Sequence, residues 1–208
     1  KFFIGDSIAL ACFVDGQDLG LIKWIYSEHQ WSYRDIYRNF PFLIQSINGV
    51  EILNQHIFLG TDNGLLVGYL GENLKDPNNW ELVSDDFSSP IDAMRSTKNG
   101  FAFISNQNIY SVIDDNNNFQ FEHLEIQAPV DFSDFLIDED DFIWGIHNKK
   151  VYNQRNNFDP MSTSKILYDI ALDSQGNIII GSELGIIEIN RNNYGIKSHI
   201  PNSPATGK

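Results

Sequence analysis

The sequence is poor in cysteine, in basic residues and in long apolar runs. Its one cysteine, Cys12, cannot form a disulfide within the chain, and its apolar neighbours indicate a buried, unreactive thiol. No apolar run approaches the roughly 18 residues of a membrane-spanning helix, so we predict no membrane insertion of this segment. Fourteen Lys and Arg stand against 28 Asp and Glu, a net charge of −14. This balance argues against a nucleic-acid backbone or an anionic membrane surface as the main partner.

The sequence also lacks the motifs of common catalytic and cofactor sites. It contains no Gly-x-Ser-x-Gly elbow and no phosphate-binding loop. The five histidines do not have the spacing of metal ligands; they are His29, His56, His123, His147 and His199. We therefore predict no catalytic residue, no metal and no cofactor. The chain begins at Lys1 without methionine, which we interpret as a processed start or a piece of a longer chain.

A short motif with two glycines recurs along the chain, at residues 16–22, 60–66 and 181–187. Each copy reads Gly-x-Asp/Glu-x-Gly followed by two aliphatic residues, and each follows an apolar run. Two glycines four residues apart permit a tight turn with a positive φ, and the aliphatic pair begins a return strand. Each copy is therefore predicted to be a β-hairpin.

Weaker copies of the hairpin occur at residues 101–110 and 142–152. The anchor positions are then 16, 60, 105, 145 and 181, at spacings of 44, 45, 40 and 36 residues. A period of about 40–45 residues with four strands per unit is typical of a propeller blade. The segments are rich in Ile, Phe, Tyr and Val and are interrupted by Gly or Asn, which disfavours a helical repeat. We predict an all-β fold, a β-propeller of four-stranded antiparallel blades.

We expect a single propeller region, 1–208. Its predicted units are about 1–34, 35–85, 86–126, 127–165 and 166–200, and the tail 201–208 starts a further unit. Only 15 residues precede Gly16, so the first unit is expected to lack its innermost strand. A closed ring of six to eight blades needs roughly 250–330 residues. The 208 residues therefore predict a partial propeller, or a fragment of a larger ring, with at most five units.

Residues 170–181, IALDSQGNIIIG, resemble the two-component-regulator propeller repeat. That family's pattern has an Asp, a Gly-Asn turn, an apolar strand, Gly-Thr or Gly-Ser, and a second Gly before another strand. Residues 138–145 are similar but lack the Gly-Asn turn. The resemblance implies a periplasmic sensor domain of a bacterial hybrid histidine kinase, or a surface protein linked to type IX secretion. Both are binding functions, and the family brings no catalytic motif.

Three functions are compatible with these observations. The first is a non-enzymatic, extracytoplasmic module of a bacterial sensor or surface protein, which binds a protein, a small molecule or a glycan. The alternative is a calcium-dependent propeller hydrolase, a lactonase or a glycan-active enzyme, with a site at the mouth of the propeller channel. The third is an assembly factor.

Three aspartates are candidates for a channel-mouth site. Asp92, Asp131 and Asp169 each lie at the start of a predicted innermost strand, 13, 14 and 12 residues before their anchors. Innermost strands line the channel of a propeller, so the carboxylates could gather there and attract a cation or a basic side chain. The competing interpretation is that each Asp accepts hydrogen bonds from its own turn.

Two tryptophans and one acidic run are further candidates. Trp31 and Trp80 fall on predicted outer strands with polar neighbours, which allows either a carbohydrate-stacking surface or packing between blades. Residues 138–141 are four consecutive acids that could offer oxygen ligands to calcium. The run lacks the glycine and the distal glutamate of a calcium loop, so we interpret it as a turn.

Overall fold

The computed structural model describes residues 1–16, 18–115, 118–125, 131–157 and 159–199. Twenty strands in these ranges form five four-stranded antiparallel sheets. Within each sheet the strands pair in chain order, so each sheet is one consecutive stretch of sequence. Such sheets are the blades of a β-propeller, and the predicted all-β propeller fold is confirmed.

Each sheet takes four successive strands. The first contains β1 (Phe2–Ile4), β2 (Ile8–Asp15), β3 (Asp18–Ser27) and β4 (Gln30–Tyr37). The second contains β5 (Ile47–Leu53), β6 (His56–Thr61), β7 (Gly64–Tyr69) and β8 (Trp80–Leu82). The third contains β9 (Ile91–Thr97), β10 (Gly100–Ser105), β11 (Asn108–Asp115) and β12 (Asn118–Leu124). The fourth contains β13 (Asp134–Ile137), β14 (Ile143–His147), β15 (Lys150–Asn153) and β16 (Met161–Ser162). The fifth contains β17 (Leu167–Leu172), β18 (Ile178–Ser182), β19 (Gly185–Ile189) and β20 (Ile196–His199).

The helices of the described residues are three short 3-10 turns, Pro77–Asn79, Asp85–Phe87 and Gln154–Asn156. None of the helices in the described ranges has the length and the apolar character that crossing a membrane requires.

The chain divides into two compact units, Lys1–Glu125 and Ile126–Lys208. The first unit contains the first three sheets and the second unit contains the last two. The single propeller region 1–208 stays a prediction.

The core of the first unit has one apolar cluster on each face of the second sheet. The middle strand β6 is buried along most of its length. Alternate side chains of a strand point to opposite faces, so its residues enter both clusters. Ile57 and Leu59 belong to the cluster shared with the first sheet. Phe58 belongs to the cluster shared with the third sheet, where its ring centroid lies 4.8 Å from that of Phe101. Burial on both faces explains why β6 reads as a continuous apolar run and not as an alternating one.

The core of the second unit lies between the fourth and fifth sheets. Trp144 and Val151 of the fourth sheet pack in one cluster with Ile178, Ile180 and Ile187 of the fifth. Trp144 is fully buried, and its indole N–H donates to Asp138 Oδ2 at 3.0 Å. A buried indole N–H needs such a partner, so this bond allows the largest side chain of the cluster to be enclosed.

The copies of the repeat at 60–66 and 181–187 are hairpins with the same turn. The Thr61 hydroxyl donates to the carbonyl of Gly64, and the Ser182 hydroxyl donates to that of Gly185, both at 2.8 Å. Gly64 and Gly185 have φ values of 110° and 131°, which side chains rarely adopt, so glycine is required there.

The copy at 16–22 is also a hairpin, but its register differs. Asp15 pairs with Asp18, so Gly16 lies in the turn itself, whereas Gly60 and Gly181 lie within strands. The predicted anchor at Ser105 also lies one residue beyond the position equivalent to Gly60. Ser105 is the last strand residue before its turn, and it corresponds to Thr61 rather than to Gly60.

The expected loss of the innermost strand from the first unit is wrong. Strand β1 pairs with β2 from Phe2↔Ala11 to Ile4↔Ala9, so the first sheet has all four strands. The prediction failed because it counted a full-length strand before Gly16, and β1 has three residues. The outer strand β4 extends to Tyr37, beyond the predicted limit at residue 34.

Candidate functional site

A pocket of about 660 Å³ lies beside the connection between the first and second sheets, and we call it the junction pocket. Its apolar lining is Leu19, Phe40, Phe42, Leu43, Ile44 and Pro77, and its polar lining is Asp18, Arg38 and Asn39. This volume lies within the range of small-molecule sites, which combine apolar walls with a few placed polar groups.

The walls of the junction pocket are held by the second copy of the repeat. Asp62 Oδ1 accepts the backbone N–H groups of Gln45, at 2.8 Å, and of Ser46, at 3.1 Å. The Asn63 amide donates to the carbonyl of Leu43 at 2.6 Å. The turn between β6 and β7 therefore fixes the path of the connection that forms the pocket. In the fifth sheet, Glu183 Oε1 accepts the N–H of Ile166 at 3.3 Å in the same way. In these two copies, the acidic residue of the motif is a structural anchor for the start of its own sheet.

The polar rim of the junction pocket contains an ion pair. Arg38 Nη1 donates to Asp18 Oδ2 at 3.4 Å, and the guanidinium lies over the ring of Phe13, 5.2 Å from its centroid. Both side chains of the pair are at least half exposed. Leu43, which also lines the pocket, is 79% exposed, and its carbonyl accepts the Asn63 amide. The pocket thus offers donors, acceptors and apolar surface within one concave region.

Trp31 lies on an exposed aromatic surface of the same sheet. It pairs with Tyr26 across β3 and β4, and their ring centroids are 5.2 Å apart. Tyr33 follows two residues later on the same face of β4. Trp31 is 44% exposed and Tyr33 is 59% exposed. We call these three residues the aromatic surface; its rings are available for stacking on a ligand.

Trp80 lies on the outer strand β8, as predicted, but it is 2% exposed. Its indole N–H donates to the carbonyl of Leu74 at 2.9 Å, and its ring packs edge-on against Tyr37 and Phe40. A buried ring has no face for a sugar, so Trp80 does not join the aromatic surface. It supports Phe40, a lining residue of the junction pocket.

The three predicted aspartates are all exposed, but they occupy different positions relative to the strands. Asp92 lies in the bulge of β9, where the pairing register shifts. Asp169 pairs with Gly181 after the bulge of β17, and its Oδ1 accepts the N–H of Ile170 at 3.0 Å. Asp131 precedes β13. Asp92 belongs to the first unit and the other two to the second, and the channel-mouth site stays a prediction.

A buried aspartate close to Asp131 was missed. Asp134, at the start of β13, accepts the N–H of Phe135 at 2.9 Å and, through its other oxygen, the N–H of Ile170 on β17 at 3.1 Å. It therefore links the inner strands of the fourth and fifth sheets. Asn48 of β5 makes the corresponding link in the first unit, donating to the carbonyl of Ile91 at 2.9 Å. A polar residue at or near the start of these two inner strands was the available sequence signal.

Glu51 is a second missed carboxyl group. It lies on β5, is 7% exposed, and accepts a hydrogen bond from the Ser96 hydroxyl of β9 at 2.8 Å. Burial raises the pKa of Glu51 to about 7, although the Ser96 hydrogen bond and the Arg95 charge oppose the shift. The signal in the sequence was a single acid within the apolar stretch at residues 50–53.

The acidic run at residues 138–141 forms a turn, as we interpreted it. Asp138 Oδ1 accepts the backbone N–H groups of Asp140 and Phe142, both at 3.0 Å. Arg155 pairs with Asp138 and Asp140, and Arg191 pairs with Glu139 at 3.0 Å. The carboxylates of Asp138, Glu139 and Asp140 are thus already bonded within the protein. No group of three or more His, Cys, Asp or Glu in the described part of the chain is placed to hold a metal ion.

Asp173 repeats the turn of Asp138 in the fifth sheet. Its Oδ1 accepts the N–H groups of Gln175 and Asn177, both at 2.8 Å. The Asn177 hydrogen bond, together with the other donors of the turn, lowers the pKa of Asp173. The Asp and the Gly-Asn of the motif therefore build one local structure.

No protein-family model and no curated protein sequence matches the chain. Solved structures do resemble it. One is the extracellular domain of a protein described as a hybrid two-component system from B. thetaiotaomicron, at 12% identity and a TM-score of 0.57; the match covers 95% of this chain and 30% of that one. Another is a protein described as a 6-phosphogluconolactonase from Bacteroides uniformis, at 11% identity and a TM-score of 0.59, covering 95% and 69% of the two chains. The chain thus spans less than a third of the extracellular domain that it matches. At these identities the likeness shows the β-propeller fold alone.

Proposed function

We propose that the chain is a non-enzymatic β-propeller that binds a ligand or a protein outside the cytoplasm, as part of a bacterial sensor or of a surface or secretion-associated protein. Two observations support this assignment. Residues 170–181 resemble the two-component-regulator repeat, and the extracellular domain of a B. thetaiotaomicron two-component system shares the fold.

The junction pocket carries the proposal. Its apolar lining and its exposed Arg38–Asp18 pair suit an amphipathic ligand, such as a small molecule or a peptide with one large apolar side chain. Leu43 offers apolar surface that the fold itself leaves exposed. Burying a leucine side chain against a ligand contributes about 1.5–3 kcal/mol, or roughly a tenfold to hundredfold gain in affinity.

Calorimetric titration with a panel of soluble oligosaccharides and of peptides that carry one large apolar side chain tests this proposal. We expect saturable binding of one member, weakened at least about tenfold by Leu43→Asp. The matched control is Leu184→Asp, which adds the same charge at an exposed leucine in the second unit and should leave binding unchanged. Equal affinity of the wild type and Leu43→Asp would exclude the junction pocket as the site.

The aromatic surface supports a second binding mode, in which a glycan stacks on Trp31. Stacking uses the exposed ring faces of Trp31 and Tyr33 and needs no burial of the sugar hydroxyls. Trp31→Ala should then abolish oligosaccharide binding, whereas Tyr168→Ala, at an exposed ring of the fifth sheet, should not. Retained binding in Trp31→Ala would remove Trp31 from the site.

The alternative, a calcium-dependent propeller hydrolase, needs an inward cluster of Glu, Asn and Asp around one metal ion. Calcium titration monitored by thermal unfolding separates the two proposals, because only the hydrolase is expected to be stabilised.

A further inference from the structure

A second pocket, of about 470 Å³, lies in the Ile126–Lys208 unit beside the turn between β14 and β15. Its lining is His147, Asn148, Lys149, Lys150, Tyr152 and Ile166. Three of these six side chains, those of His147, Lys149 and Lys150, are basic, and none is a carboxylic acid. We call it the basic pocket. It stands out because the chain as a whole has a net charge of −14.

The walls of the basic pocket are joined by backbone hydrogen bonds. The carbonyl of Asn148 accepts the N–H of Leu167 at 2.8 Å. The carbonyl of Lys149 accepts the N–H of Thr163, at 2.7 Å, and its hydroxyl, at 3.1 Å. The turn and the segment at residues 163–167 therefore hold each other in place. Because these two carbonyls already accept hydrogen bonds, the turn offers a ligand mainly the donors of its lysine side chains.

The two lysines of the basic pocket are not neutralised by the protein. Lys149 and Lys150 are exposed, and neither forms an ion pair within the described residues. By contrast, Arg155, Arg191 and Lys197 of the same unit each pair with a carboxylate. Two adjacent uncompensated ammonium groups produce a positive potential that attracts an anion.

The remaining lining residues shape the pocket. The Asn148 amide donates to His147 Nε2 at 2.6 Å, which holds the imidazole beside the lysines. Glu183 is the acid next to this region, and its Oε1 accepts the N–H of Ile166 at 3.3 Å. Tyr152 and Ile166 supply apolar surface. The pocket can therefore contact both a charged group and an uncharged body attached to it.

We propose that the basic pocket binds a small oxyanion ligand, in which a phosphate or carboxylate group contacts Lys149 and Lys150 and the body of the ligand packs on Tyr152 and Ile166. Lysine binds such groups as a point charge and does not require a fixed planar geometry, so phosphate and carboxylate are both accepted. This site is independent of the junction pocket, because none of its lining residues belongs to the Lys1–Glu125 unit.

The test is a titration of the whole chain at low salt with glucose 6-phosphate, glucuronate and glucose, followed by calorimetry. We expect saturable binding of at least one of the two anions and none of glucose; the two anions distinguish a phosphate ligand from a carboxylate ligand. The double variant Lys149→Gln/Lys150→Gln should weaken that binding at least about tenfold, and raised salt should weaken it in the wild type.

The matched control is Lys98→Gln/Lys197→Gln, which removes the same two charges elsewhere and should change the affinity by less than about twofold. All four lysines are exposed, so thermal unfolding should show that both variants remain folded. If neither anion binds at ligand concentrations of up to about 10 mM, the proposal is overturned. Equal weakening by the two double variants would also overturn it, since it would indicate a response to net charge alone. Leu43→Asp should leave anion binding unchanged, which keeps this test separate from that of the junction pocket.

Discussion

Glu51→Gln should stabilise the protein above neutral pH. The carboxyl group of Glu51 is enclosed between β5 and β9, with the Ser96 hydroxyl as hydrogen-bond donor. The charge of Arg95, which neighbours Ser96 on β9, also acts on this carboxyl group. Glutamine has nearly the same shape and retains an oxygen for the Ser96 hydroxyl, but it carries no charge to bury.

The sign of the effect follows from the raised pKa. The pKa of Glu51 is about 7 in the folded protein, against the ordinary value of 4.5 for a glutamate in the unfolded chain. Between these values the folded state binds more protons, so stability is present at low pH and is lost as the pH rises. Each pKa unit corresponds to about 1.4 kcal/mol, which gives an upper limit of about 3 kcal/mol for the loss above pH 8. Glu51→Gln removes this dependence.

Urea unfolding of the wild type and of Glu51→Gln at pH values from about 5 to about 9 measures the effect. The difference in the free energy of unfolding should be small at the acidic end and should increase with pH in favour of the variant. Glu81→Gln is the control, because it removes the charge of an exposed glutamate from the same sheet. A difference that stays constant with pH, or one that favours the wild type above pH 8, would refute the reasoning.

Three further predictions concern stability. Trp80→Ala should lower the free energy of unfolding by about 3–5 kcal/mol, whereas Trp31→Ala should change it far less, since Trp80 is buried and Trp31 is partly exposed; urea midpoints compare them. Asp138→Ala should destabilise by at least about 2 kcal/mol, because it leaves the Trp144 indole N–H and two backbone N–H groups without their acceptor; a thermal midpoint equal to that of the wild type would contradict this. Gly64→Ala should lower the free energy of unfolding by more than about 1 kcal/mol, and by more than Gly16→Ala does. A Cβ at Gly64 would lie 2.4 Å from the Phe87 carbonyl oxygen, whereas Gly16 has open space around it. Similar losses for the two variants in chemical unfolding would show that the positive φ, and not this contact, determines the cost.

The blade architecture could be predicted because its signals are local. The run at residues 178–180 and the glycines around it specify a strand, a turn and a return strand without help from distant residues. Register could not be predicted in the same way. Ser105 and Thr61 are equivalent in the structure, but the third sheet has neither motif glycine, so a slip of one residue left no trace in the sequence.

The exposure of Trp80 could not be predicted, because it depends on the connection between the first two sheets. Phe40 of that connection covers the indole, and the connection itself is held by Asp62. The same dependence explains why the junction pocket was missed. Its lining comes mostly from residues outside the repeat, and repeat analysis assigns meaning only to residues that recur.

The most direct test of the binding proposal is an NMR titration of the isotope-labelled chain with the oligosaccharide and peptide panel. The proposal predicts saturable amide shifts concentrated at residues 18–19 and 38–46, around the junction pocket. Shifts that instead concentrate at Asp92, Asp131 and Asp169 and require calcium would contradict it and favour the hydrolase.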